Sequence, residues 1–173
     1  MLIVLGGLPG TGKTTIAKIL AARLPATYLR IDEIEHALRS MPEFERGIGP
    51  AGYVVANALA ASNLAIGRHV VVDCVNPVRA SRDGWREVAS RACLPLLEVE
   101  VICSDAAEHR RRIESRLADI DGLELPTWQS VQAHHYEPWT EPRLIIDTAV
   151  LAPDDAVAVI DLQIERTSCG RRV

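Results

Sequence analysis

Eight residues near the start of the chain, Gly7-Leu8-Pro9-Gly10-Thr11-Gly12-Lys13-Thr14, constrain the fold more than any other stretch. They fill every fixed position of G-x-x-x-x-G-K-[ST], a glycine loop whose backbone N–H groups turn inward to cradle an anion. With average residue frequencies, the four fixed positions match by chance in roughly one chain in a hundred of this length. The flanks narrow this further. Leu2 to Leu5 reads as a fully buried strand, and Thr15 to Leu24 carries Ile16, Ala17, Ile19, Leu20 and Leu24 at helical spacing. Strand, glycine turn and helix must therefore follow one another directly.

Glycines permit the sharp turn, and the helix that follows offers free N–H groups and its positive dipole end to the same anion. The expected ligand is ATP with Mg²⁺, held by Gly7, Leu8, Pro9, Gly10, Thr11, Gly12, Lys13, Thr14 and the adjoining Thr15. Lys13 is placed to reach the β- and γ-phosphates as a point charge, and the Thr14 hydroxyl to ligate Mg²⁺. The bland alternative is an ordinary glycine turn between a strand and a helix.

At 173 residues, with 48% hydrophobic and 24% charged, the chain reads as one globular domain spanning 1–173. The net charge of −4 gives no basic footprint and disfavours a long nucleic-acid partner. Cys74, Cys93, Cys103 and Cys169 show no metal-type spacing, and the first three read as small buried hydrophobes of a reduced, cytoplasmic protein. No charged segment precedes the Leu2 run and nothing approaches a membrane span, so neither a signal peptide nor a membrane partner is expected. Arg166 to Val173 reads as a short frayed basic tail.

Further along, Ala26 to Asp32 reads as a second strand ending in the acidic pair Asp32-Glu33, followed by a short helix from Ile34 to Arg39. Met41 to Pro50 is loop-like. Ala51 to Gly67 is an alanine-rich helix, apolar almost all round, which predicts burial on more than one side; Gly67 closes it. His69 to Cys74 and Leu96 to Cys103 are further strands. Between them Ser81 to Cys93 is an amphipathic helix, and after them Ser104 to Leu117 is a helix with Ser104 as its cap and Asp105 in its first turn. Ala118 to Pro142 loses periodicity, Arg143 to Thr148 is a fifth strand, and Pro153 to Glu165 a closing helix. Strands separated by helices and apolar on both faces predict an α/β fold with one parallel sheet covered on both sides. Right-handed crossovers then bring the glycine loop, Asp32, Asp73, Cys103 and Asp147 to one sheet edge, where ligands bind.

Several side chains at that edge carry candidate chemistry. Asp32 can take a proton from an attacking hydroxyl, orient a Mg²⁺ shell, or cap the following helix. Asp73 closes the apolar run Val70 to Val72 and can hold Mg²⁺ directly or through water; otherwise it is a strand-end acid in the Asn76-Pro77 turn. Asn76, Arg79 and Arg82 can clamp an acceptor or simply be solvated. Tyr53 and Asn57, one helical turn apart, can face an acceptor cavity or be satisfied core groups. Arg112 and Arg116 share a helix face, whereas Arg110 and Arg111 point elsewhere. A phosphoryl group in flight needs such positive charge, though Glu108 with Arg112 also reads as a surface pair. The 118–142 segment is long enough for a lid, and the adjacent His134 and His135 make a poor metal pair.

On these residues the chain resembles the small phosphate-loop kinases, the group of chloramphenicol phosphotransferase, gluconate kinase, shikimate kinase and the zeta toxins. Short chains of this kind are also grouped as AAA ATPases. The likeness rests on Gly6 to Thr15, Arg30-Ile31-Asp32, Val70 to Asp73, the arginine helix and Ile145 to Thr148. It implies a five-stranded sheet ordered 2-3-1-4-5, ATP·Mg²⁺ as donor, and an arginine-bearing lid over approximately 105–142. It also implies Asp32 as catalytic base, and adenine held around Asp147 and Thr148. The expected activity is transfer of the γ-phosphoryl group to a hydroxyl of a small metabolite, nucleoside, sugar or antibiotic. Lys13, Asp32, Arg112 and Arg116 would be catalytic, Thr14, Asp73 and Asp32 would serve the metal, and the protein would be a monomer or homodimer. An RNA-end or toxin-type kinase, and a switch ATPase without acceptor, are the alternatives; a switch has no need of an acceptor base at Asp32. Ring-forming ATPases and GTPases resemble it less: there is no Asn-Lys-x-Asp motif, and Asp119 to Gly122 matches Asp-x-x-Gly only inside the expected lid.

Overall fold

A computed structural model of the chain describes residues 1–44, 47–117, 120, 122 and 124–169. Part of the Met41 to Pro50 loop, both acids of the Asp119 to Gly122 match and the end of the basic tail lie outside the described residues. The elements are β1 (Leu2–Gly6), α1 (Lys13–Arg23), β2 (Thr27–Arg30), α2 (Ile31–Arg39), a 3₁₀ turn (Pro42–Phe44) and α3 (Ala51–Ala65). They continue with β3 (Val70–Asp73), α4 (Arg79–Arg91), β4 (Leu96–Ile102), α5 (Ala106–Ser115), α6 (Trp128–Gln132), β5 (Leu144–Asp147) and α7 (Pro153–Cys169). All strand pairs are parallel and the order is β2-β3-β1-β4-β5, the order expected of the kinase likeness.

β1 is the central strand and every residue in it is buried, which is why its sequence is a continuous apolar run. Ile3 and Leu5 pack with Ile16, Leu20, Val157 and Ile160, so α1 and α7 cover one face of the sheet. Leu2 and Val4 pack with Ala56, Leu64, Trp85 and Ala89, so α3 and α4 cover the other. Among the described residues, no helix is long and apolar enough to cross a membrane.

The departures from sequence expectation have local causes. β2 stops at Arg30, and Asp32 stands in the first turn of α2 rather than on the strand or at the cap. Carboxylates at 32 and 33 favour the positive end of a helix, which draws its start forward. At α5 the cap is Asp105, whose carboxylate accepts from the N–H groups of Ala107 and Glu108, while the Ser104 N–H turns to Asp147. α3 buries only Gly52, Ala56, Ala60 and Leu64; Val54, Val55, Leu59 and Ile66 are exposed. Small residues four apart bring one narrow stripe of α3 onto the sheet, and burial on more than one side does not occur. Gly67 does end that helix, at φ +81. Of Cys74, Cys93 and Cys103, the first is buried, the second is exposed in the turn after α4, and the third is partly covered. β4 is not apolar throughout, since Glu98 and Glu100 are buried on it and paired with Arg86 at 2.9 Å and Arg143 at 2.7 Å. α7 continues beyond Glu165 to Cys169, so Arg166 is helical rather than frayed.

Candidate active site

The glycine loop leaves β1 at the centre of the sheet and enters α1. A Cβ on Gly7 (φ +149) would stand 2.2 Å from the Val101 carbonyl oxygen of β4. One on Gly10 (φ +82) would stand 2.5 Å from Ile113 Cδ1 of α5. Thr11 Oγ1 donates to the Leu8 carbonyl at 2.9 Å, tightening the turn. Gly12 caps α1 in the left-handed conformation with no side-chain hydrogen bond, which leaves the first N–H groups of the helix for an anion. Lys13 opens α1 and is only 4% exposed.

A polar cavity of about 360 Å³ opens against the loop, lined by Gly12, Lys13, Thr14, Lys18, Arg112 and Arg116 among others. The two arginines expected on this face are therefore at the loop. Arg110 and Arg111 turn away, to Glu114 at 2.7 Å and Glu108 at 2.6 Å. Arg112 donates from Nε to Glu108 at 2.8 Å, from Nη1 to Thr148 Oγ1 at 2.7 Å and from Nη2 to the Thr148 carbonyl at 3.0 Å. The Thr148 hydroxyl in turn donates to the Thr11 carbonyl at 2.8 Å. Asp147 Oδ1 accepts the N–H groups of Ser104 and Ala149, both at 3.0 Å, and the Ser104 bonds hold its carboxyl below the usual range. The segment after β5, the loop and α5 are thus joined.

His109 belongs to the same assembly and was not singled out by sequence. Its Nε2 lies 2.7 Å from the Pro9 carbonyl, so that nitrogen is the donor, and its ring meets Trp128 of α6 edge-on at 5.3 Å. Positions 109, 112 and 116 share one helix face, a spacing that links His109 to the two arginines.

On the other side of β1 stands an acidic group. Asp73, 2% exposed, pairs in register with Leu5 at the root of the loop. Its Oδ2 accepts the Tyr28 hydroxyl at 2.9 Å and lies 3.8 Å from Arg30 Nε. Its Oδ1 is buried with no hydrogen-bond partner among the described residues. Burial and the Asp73 charge together push the Tyr28 phenol well up. The Arg30 guanidinium also stands 3.8 Å from Asp32 and 3.6 Å from Glu33. Asp32 and Asp73 thus share Arg30 at the ends of β2 and β3, beside the strand that carries the loop. Among the described residues no cage of three or more His, Cys, Asp or Glu forms. The donor set fits Mg²⁺, which takes one or two protein oxygens and completes its shell with phosphate and water. Thr14 and the unpartnered Asp73 Oδ1 offer such oxygens.

The remaining substrate candidates divide. Asn76 is fully buried at φ +54, its N–H donates to the Tyr53 hydroxyl at 2.9 Å, and its amide atoms lack partners among the described residues. Burial drives the Tyr53 phenol far up. Asn57 faces α4, its Nδ2 lying 2.8 Å from where a Gly84 Cβ would be. Arg79 is exposed and pairs with Asp83 at 3.5 Å. Arg82 is 2% exposed and its donors are taken by carbonyls: Asn76, Pro138 and Pro77 at 3.1 Å, Glu137 at 2.5 Å. The guanidinium also lies 4.3 Å over Trp139 and 5.4 Å over Tyr136. Arg82 therefore braces residues 136–139, the far end of the expected lid, with four of its five N–H donors committed to carbonyls. His135 leans on Glu137 at 3.5 Å, and burial, with His135 beside it, lowers the His134 imidazole.

A parallel β2-β3-β1-β4-β5 sheet built round a phosphate loop defines a phosphate-loop kinase fold. Residues 2–138 match the family described as an AAA domain, and the chain belongs to that family. A protein of Aeropyrum pernix described as a probable adenylyl-sulfate kinase is 27% identical over 165 residues, covering 86% of this chain and 83% of its own. A gluconokinase from Sinorhizobium meliloti superposes with a TM-score of 0.66 at 21% identity, covering 98% of this chain and 97% of its own. The Mycobacterium tuberculosis APS kinase in complex with AMPPNP and APS gives 0.65 at 21% identity, covering 94% and 96%. At these identities the structural likenesses establish the fold.

Proposed function

We propose that the chain transfers the γ-phosphoryl group of ATP·Mg²⁺ to a hydroxyl of a small molecule. The observation that carries this reading is the cavity at the bare start of α1, where Lys13, Arg112 and Arg116 converge on one side while Asp32 and Asp73 stand across β1. The loop N–H groups and Lys13 hold the phosphates, and the arginines supply positive charge to the oxygens of the transferring group. Thr14 and Asp73 hold Mg²⁺, which when bound neutralises charge building on the phosphate oxygens. Asp32, 31% exposed, takes the proton from the acceptor hydroxyl. Asp147 and Thr148 border the nucleotide base, tied to the loop through the Thr148 hydroxyl.

The test is ADP release with ATP and Mg²⁺ across sugars, nucleosides, aminoglycosides and short RNAs, with Lys13→Ala and Asp32→Asn alongside. One acceptor should raise turnover well above background, and Asp32→Asn should remove the increase while nucleotide still binds. If no acceptor stimulates release and Asp32→Asn leaves slow hydrolysis unchanged, the chain is a nucleotide switch instead.

A further inference from the structure

The phosphate loop contains a peptide with two ways to face. Leu8-Pro9-Gly10-Thr11 closes as a turn, with the Thr11 N–H on the Leu8 carbonyl at 3.4 Å and Gly10 at φ +82. Proline second and glycine third at positive φ is the type II arrangement. A type I turn would share its ends and differ by about half a rotation of the middle peptide, here Pro9–Gly10. Proline accepts either form, and glycine has no Cβ to oppose the change. The turn sequence therefore leaves the direction of this peptide open.

A hydrogen bond from outside the loop fixes it. His109 of α5, 7% exposed, donates from Nε2 to the Pro9 carbonyl at 2.7 Å. The ring is held on two sides: its Cδ2 is 3.2 Å from where a Gly10 Cβ would stand, and Trp128 meets it edge-on at 5.3 Å. In a trans peptide the C=O and N–H point in opposite directions, and no cis bond occurs among the described residues. Holding the Pro9 carbonyl toward His109 therefore turns the Gly10 N–H away from it. Gly10 lines the polar cavity with Lys13, Arg112 and Arg116, whereas His109 lines a small hollow with Leu8 and Thr11. The flipped peptide would offer an anion in that polar cavity a carbonyl oxygen in place of an N–H. Neighbouring loop carbonyls are committed in the same way: Leu8 accepts from Thr11 Oγ1 at 2.9 Å, and Thr11 from Thr148 Oγ1 at 2.8 Å.

We infer that His109 is a positioning residue of the nucleotide site, locking the Pro9–Gly10 peptide with its N–H toward the phosphates. The inference rests on the nucleotide-binding part of the kinase reading and on no property of the acceptor. His109 lies one turn before Arg112 on the same face of α5, so a single helix orients the loop amide and brings a cation to the cavity.

Calorimetric titration of the full chain with ATP and Mg²⁺, well below the melting temperature of every variant, tests it. His109→Phe keeps a ring beside Trp128 and loses the donor, whereas His109→Gln returns an N–H near the Nε2 position without the ring. The expected result is an ATP Kd raised at least about tenfold in His109→Phe, a loss of about 1.4 kcal/mol, and restored to within about threefold of wild type in His109→Gln. His109→Leu is a second donor-free variant, used where the larger ring does not fit, and should lose the same factor. A histidine that only packs would behave differently: its replacement would lower Tm without nucleotide and leave the Kd unmoved. An unchanged Kd in a folded donor-free variant, or binding by His109→Gln as weak as by His109→Phe, overturns the inference and leaves the kinase reading standing. A wild-type chain that binds no ATP, with Lys13→Ala no different, overturns both.

Discussion

Replacing Arg82 by alanine removes a guanidinium that joins the turn after β3, the start of α4 and residues 136–139. The Asn76 carbonyl it serves belongs to a fully buried residue, and leaving one such acceptor unpaired costs about 1–3 kcal/mol. Loss of the desolvated cation from the Trp139 face, 4.3 Å away, adds about 1–2 kcal/mol. The carbonyls of Pro77, Glu137 and Pro138 lie nearer the surface and can find water, so they add little. The sum is about 2–5 kcal/mol, a fall in Tm of roughly 4–20 °C for a domain of this size. Arg82→Lys keeps a cation near Trp139 but cannot span the same carbonyls, and should lose about half as much. Thermal melts with and without saturating nucleotide make the measurement, with the acceptor KM taken from ADP-release kinetics. A Tm within about 2 °C of wild type, together with a raised acceptor KM, would refute the brace and return Arg82 to the substrate-binding residues.

Gly10→Ala forces φ +82 on an L-residue, costing about 1–2 kcal/mol, and drives a methyl toward Ile113 at 2.5 Å, adding about 1–3 kcal/mol. It should abolish the nucleotide-induced rise in Tm, and adding Ile113→Val should restore the packing part alone; full restoration would mean the backbone conformation costs nothing. Asp105→Ala removes the α5 cap and should lower stability by about 0.5–2 kcal/mol in urea melts, with Asp105→Asn recovering most of it. Glu108 is held down to about 2 by Arg111 and Arg112. Because its folded value is depressed, these pairs are fully formed above the unfolded carboxyl value of about 4.3 and are lost as pH falls through about 2. A carbon-detected NMR titration of Glu108 should show that low midpoint, and a midpoint near 4 would dissolve the pairing.

The parts of this fold that write themselves into local pattern were legible: the buried strands, the loop, the glycine that ends α3, and the arginine face at 112 and 116. What escaped depended on contacts across the sheet. Arg82 looks like a loop-side cation until residues 136–139 fold over it, and nothing near position 82 announces carbonyls more than fifty residues away. His109 reads as one more polar residue of a charged helix until α5 is laid against Pro9. The fourth strand reads as apolar because Arg86 and Arg143, which make Glu98 and Glu100 tolerable inside, come from elements on either flank. α3 misled in the opposite sense: alanine serves close approach to a sheet and equally tolerates water, so an apolar wheel does not say how many faces are covered.

The strand order turns these pieces into a polarity. Placing β1 at the centre sets β3 and β2 on one side of the loop and β4 and β5 on the other. The acids Asp73, Asp32 and Glu33 arrive with the first pair, and α5, which connects the second, brings Arg112 and Arg116. Lys13 stands between them at the head of α1. A polyphosphate lying on the loop therefore has cations along its own flank and carboxylates ahead of its terminal group. On the proposed kinase reading that separation suits an in-line transfer: positive charge would stabilise the group in motion, while Asp32 and the acceptor would stand on the side the phosphoryl moves toward.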